Sequence, residues 1–108
     1  MENGKTMQLS NDIIKKIQNN IWKTDSIDYW VGNMNAIDNL ETNIIEQSTG
    51  KNHKINSETI QKGYDIIAIQ ATNVPDFILQ LLETEQFDEE QLVDAIIQVG
   101  LFGELKYQ

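Results

Sequence analysis

A chain of 108 residues with 40% apolar side chains is long enough for one hydrophobic core, and eight lysines against seventeen carboxylates leave a net charge of −9. With no cysteine, a disulfide framework, thiolate metal ligands and a thiol nucleophile are excluded together, and a reducing, cytoplasmic compartment fits. With no arginine, the chain lacks the planar fork that reads phosphates and base edges, which argues against direct nucleic-acid binding.

Residues 1–8 form a polar arm without the apolar stretch a signal peptide requires, and no apolar run is long enough for a membrane span. A soluble protein that stays in the cytoplasm is expected. Ser10 is a helix cap, with Leu9 placed to pack on Ile14. Ile13, Ile14, Ile17, Ile21 and Trp22 recur every three or four positions, predicting a helix at about 11–23.

Thr24, Asp25 and Ser26 offer three further caps. Beyond them Ile27, Trp30, Met34, Ile37, Leu40 and Ile44 keep the helical spacing, with Asp28, Asn35, Asn39, Asn43 and Glu46 on the polar side. The spacing predicts a helix over 26–47, about 33 Å long, ended by Gly50. His53, flanked by Lys51 and Lys54, falls in a polar connector.

Asn56 caps the next helix and Ile55 packs on Ile60; Ile60, Tyr64, Ile67, Ala71 and Val74 give a seam over 57–73. Pro75, capped by Asn73, starts a helix at 75–84 carrying Phe77, Ile78, Leu81 and Leu82. Asp88 caps a last helix at 88–99, Phe87 packs on Leu92, and Gly100 ends it. Leu101 and Phe102 fold back onto the core and the end frays. No alternating strand is bounded by turns. Isoleucine favours strands, but the three-and-four spacing outweighs that preference. The expected fold is all-α: a compact bundle of four to five helices in a single domain, with 1–8 and 104–108 as loose termini.

The residues offer little chemistry. One histidine and no cysteine cannot complete a usual zinc site, and His53 has no nucleophile placed beside it. Glu83, Glu85, Asp88, Glu89, Glu90 and Asp94 lack the ligand alternation and mid-loop glycine of a calcium loop, and part of the cluster is explained by helix capping. Gly50, Gly63, Gly100 and Gly103 are too scattered for a phosphate loop. No catalytic residue, cofactor or metal is predicted.

Trp30-Val31-Gly32 resembles the Trp-x-Gly signature of the WXG100 secretion substrates, which are acidic helical hairpins of about this length. The resemblance implies a turn between two long helices at Gly32. It covers three residues, and the rest of the chain departs from it. Gly32 falls inside a continuous helical seam, while Gly50, Gly63 and Pro75 interrupt the second long helix. The chain is not assigned to that family.

Surface remains as the carrier of function. Residues 1–62 hold seven lysines and eight acids, a net of −1; residues 63–108 hold Lys106 and nine acids, a net of −8. A protein partner with a basic surface is expected, steered by this asymmetry and weakened by salt, with no membrane partner. Tyr29 and Trp30 are residue types that anchor interfaces, although Trp30 equally suits a core. Glu83, Glu85, Glu89, Glu90 and Asp94 form the acidic candidate surface. The leading expectation is a non-enzymatic inhibitor, immunity or anti-defence protein. The alternatives are a nucleic-acid mimic blocking a basic groove, and an assembly protein of a phage or mobile element.

Overall fold

A computed structural model describes residues 8–23, 27–38 and 41–107. Its elements run α1 (Asn11–Lys23), β1 (Val31–Asp38), β2 (Glu41–Glu46), β3 (Asn52–Ile55), α2 (Ser57–Ala68), α3 (Asp76–Glu83) and α4 (Glu90–Phe102). The strands form an antiparallel sheet in the order β1-β2-β3. The fold is therefore α+β, and the expected all-α bundle is overturned.

The error lies in the helix expected over 26–47. Residues 27–30 make a tight turn, with the Val31 N–H donating to the Ile27 carbonyl at 3.0 Å, and a β-hairpin follows. Met34 pairs with Ile44 and Asn35 with Asn43, while Ile44 pairs with His53 on the other side. The register of β1 slips between Val31 and Asn33 and again between Ala36 and Asp38.

Two features hid the strands. The buried face of β2 is Thr42, Ile44 and Glu46, so two of its three inward residues are polar; the outward residues Glu41, Asn43 and Ile45 are apolar at one position too, and no alternation of hydrophobicity is left to read. The register slips break the two-residue period of β1 as well. What remained was a coincidental spacing of Trp30, Met34 and Ile44. The Thr24–Ser26 caps and Asn39 and Leu40 lie outside the described residues. Gly32 sits in β1, so the helical hairpin implied by Trp30-Val31-Gly32 is absent.

The helices follow their expected positions more closely. The hydroxyl oxygen of Ser10 accepts the Ile13 N–H at 3.2 Å, and Leu9, Ile14, Ile17 and Ile21 are buried. Asn56 caps α2, accepting the Thr59 N–H at 3.0 Å. The 57–73 helix stops early, because Gln70 takes a left-handed conformation at φ 58°. Asn73 does not cap α3; Pro75 occupies that position, and Asn73 accepts the Leu105 N–H at 2.9 Å instead. Nor does Asp88 cap α4, which starts behind Glu89 without a side-chain cap.

Gly100 was expected to stop the last helix, yet α4 runs through it to Gly103, whose φ of 81° suits the left-handed end of a helix. Gly100 is a packing glycine. A Cβ there would lie 2.2 Å from the Thr59 carbonyl oxygen, and one at Gly63 would lie 2.0 Å from that of Ile96. The backbones of α2 and α4 thus cross in direct contact. α4 touches α1, α2, α3 and β3, with Leu92, Val93, Ile96 and Ile97 fully buried. Among the described residues no helix is long and apolar enough to cross a membrane.

Candidate functional site

Of the loose end expected at 104–108, residues 105–107 dock instead. Past Gly103 the chain turns back, is held at Leu105 by Asn73, and donates the Tyr107 N–H to Gln98 Oε1 at 2.8 Å. The Tyr107 ring stacks on Trp30 with centroids 5.5 Å apart and planes 9° from parallel. Phe102 meets the same indole edge-on at 5.7 Å. The turn at 27–30 explains the opposite fates of neighbouring aromatics: Trp30 is 1% exposed, whereas Tyr29 is 51% exposed.

Two carboxylates flank this aromatic stack. Asp94 Oδ1 accepts the Trp30 indole N–H at 2.9 Å and the Gln98 amide at 3.0 Å; Oδ2 accepts the Tyr29 hydroxyl at 2.8 Å. Burial pushes the Asp94 carboxyl above the ordinary aspartate value, outweighing the donors from Gln98, Trp30 and Tyr29. Burial, then the hydrogen bond and negative charge of Asp94, push the Tyr29 hydroxyl up to about 12.

Glu46, 1% exposed, is the second. It accepts Lys106 Nζ at 2.6 Å and the Tyr107 hydroxyl on Oε2, and stands 2.9 Å from His53 Nε2 through Oε1. His53 is thus not a solvated loop residue: it sits on β3 with Phe102 edge-on at 5.4 Å. Glu46 lies near the surface and is sealed over by its own partners. Burial raises its pKa, but the bonds from Lys106, Tyr107, His53 and Thr49 outweigh that and bring it down to about 2.

That depression carries a sign. A folded-state pKa below the ordinary 4.5 stabilises the fold above that pH, and the contribution disappears as pH falls from about 4.5 toward about 2. Lys106 is half exposed, so solvent screening weakens this contribution. Asp94 acts in the opposite sense, since its raised pKa favours the fold as it protonates. The stability difference between the parent protein and Glu46→Gln, from urea denaturation, should be largest at neutral pH and shrink on acidification. A difference independent of pH would refute this account of Glu46.

Beside Asp94 a cleft of about 210 Å³ opens between the 27–30 turn, the start of α3 and the face of α4, lined by Tyr29, Phe77, Gln91, Asp94, Leu105 and Tyr107. Gln91, Asp94 and Gln98 share one face of α4, at positions i, i+3 and i+7. A larger hollow of about 520 Å³ lies between the start of α1 and α2. Its walls carry both signs of charge, Glu58, Lys62 and Asp65, and lack a carboxylate set among aromatic rings. Chemistry favours the smaller cleft over the larger volume.

The acidic candidates divide. Glu83, Glu85, Glu89 and Glu90 are exposed around the turn joining α3 to α4, with Asp88 exposed among them. Glu85 holds a left-handed φ of 57°. Asp94 turns inward and joins Tyr29 and Trp30 in one hydrogen-bonded group. Reading the sequence missed Glu46, His53, Phe77, Gln98 and Tyr107 as members of the site. A signal existed for Gln98 alone: Asp94 and Gln98 are a polar i, i+4 pair within the otherwise apolar run 92–99. Comparison of the chain with family models, curated proteins and solved structures gives no match.

Proposed function

We propose that this chain is a small non-enzymatic binding protein, of the inhibitor, immunity or anti-defence kind, that acts in the cytoplasm on the basic surface of another protein. One observation carries the reading: five carboxylates, Glu83, Glu85, Asp88, Glu89 and Glu90, are exposed within eight consecutive residues. The sole lysine in 63–108, Lys106, is drawn to Glu46. This half of the molecule therefore presents a negative field suited to steering a cationic partner.

The test is affinity capture from the native host with the parent protein and a Glu83→Lys/Glu85→Lys/Glu90→Lys variant, at low and high salt. A partner recovered at low salt, lost at high salt and lost in the variant at unchanged melting temperature is the expected result. Equal recovery by the variant would remove the acidic turn from the interface. Displacement of the captured partner by duplex DNA would identify the narrower case, in which the carboxylates imitate phosphates.

A further inference from the structure

We infer that the cleft between Tyr29 and Phe77 is a socket for an arginine side chain presented by the partner protein. This rests on the reading under Proposed function and specifies the chemistry of the contact. Tyr29 and Phe77, 51% and 47% exposed, are the large aromatic side chains left open among the described residues, and both border the same cleft. Exposed rings flanking a concave site are what a flat cation stacks on. No lysine lines the cleft, and Lys106, between the lining residues Leu105 and Tyr107, is drawn to Glu46. Asp76, Glu89 and Glu90 lie next in sequence, or next but one, to its lining residues Pro75, Phe77 and Gln91.

Asp94 supplies the anchor. A carboxylate has about four acceptor sites. Oδ1 receives two donors, from Trp30 and Gln98, and Oδ2 receives one, from Tyr29. An acceptor site on Oδ2 remains, and its carboxylate borders the cleft. Those three donors fix the carboxylate in place, so a cation meets a preorganised acceptor. Burial disfavours the charge on Asp94, and an arriving cation relieves that cost.

The occupant is a guanidinium in preference to an ammonium. Guanidinium is planar, weakly hydrated and able to stack on a ring while donating edgewise to a carboxylate and to the Gln91 amide; an ammonium is compact and strongly hydrated. None of the 108 residues is arginine, so the occupant of the socket is not among them.

The test uses short peptides as probes. Acetyl-Gly-Arg-Gly-amide is titrated into the protein and followed by NMR at the Trp30 indole N–H, which donates to Asp94 and so reports on it. The arginine peptide should shift this signal saturably, the lysine peptide should bind more weakly, and the citrulline and glutamate peptides should leave it unmoved. Asp94→Asn should weaken arginine binding about tenfold, the scale of a charge-assisted hydrogen bond. Phe77→Ala, a truncation at an exposed ring, should weaken it several-fold and serves as the second variant if Asp94→Asn disturbs packing. No shift with arginine, an equal shift with citrulline, or unaltered binding by both variants would overturn the socket. If a captured partner is lost on charge reversal of Glu83, Glu85 and Glu90 yet binds Asp94→Asn and Phe77→Ala normally, the socket falls and the acidic-surface reading stands.

Discussion

Gly63→Ala is expected to destabilise the protein by about 3 kcal/mol or more. The added Cβ would sit 2.0 Å from the Ile96 carbonyl oxygen and 3.0 Å from the Gly100 nitrogen. Both are backbone atoms of α4, so no side chain can swing aside; α2 and α4 must separate by more than 1 Å to restore ordinary contact near 3.3 Å. Separation loosens the packing of Ile60, Ile67, Ile96 and Ile97, all fully buried around this crossing. Alanine gains about 1 kcal/mol of helix propensity over glycine, which does not offset the clash. In thermal denaturation the midpoint should fall by about 12 °C or more for a chain of this size. Gly100→Ala should behave alike, with its Cβ 2.2 Å from the Thr59 carbonyl oxygen. Gly32→Ala is the control: its nearest neighbours lie at 3.6 Å and its midpoint should scarcely move. An unchanged midpoint in Gly63→Ala would show that the two helices do not cross as described.

Trp30→Ala should cost about 3–5 kcal/mol, the range for emptying the site of a large buried aromatic. It removes the surface on which Tyr107 stacks, the ring that Phe102 meets edge-on, and one of the two donors to Asp94 Oδ1. Loss should therefore spread to the end of the chain. Hydrogen exchange at the Tyr107 N–H, held by Gln98 in the parent protein, should accelerate well beyond what the global loss of stability explains. Trp30→Phe should fall between, keeping a ring to stack on but no indole donor. A cost below about 1 kcal/mol, or a Tyr107 amide as protected as before, would show that the tail is held elsewhere.

α1 was legible because one stripe of isoleucines meets one buried surface and a serine caps its start; pattern and burial coincide there. The Asn56 cap of α2 was equally local, since a capping side chain bonds within three residues of itself. Local chemistry of this kind depends on the chain alone, and so does the charge asymmetry between its halves.

The sheet did not depend on local chemistry. Thr42 and Glu46 occupy inward positions of β2 because distant partners satisfy them: Thr42 donates to Gln18 Oε1 of α1 at 2.7 Å, and Gln18 donates to the Ile55 carbonyl of β3 at 3.0 Å. Glu46 is held by Lys106 and Tyr107, sixty and sixty-one residues further along the chain. A polar residue at an inward position reads as a surface residue until the group that bonds it is in place. The same reason hid the candidate site, since Asp94 reads as one more acid until Trp30 and Tyr29 arrive from sixty-four and sixty-five residues away.

Gly100 shows the converse. Its residue type suits a helix end, and only the approach of α2 makes it a helix interior where no side chain fits. By itself, then, the sequence determined where most helices lie and how charge is shared along the chain. The tertiary structure decided that a sheet exists, which polar groups turn inward, and that the tail closes over Trp30, because each depends on contacts between residues far apart in sequence.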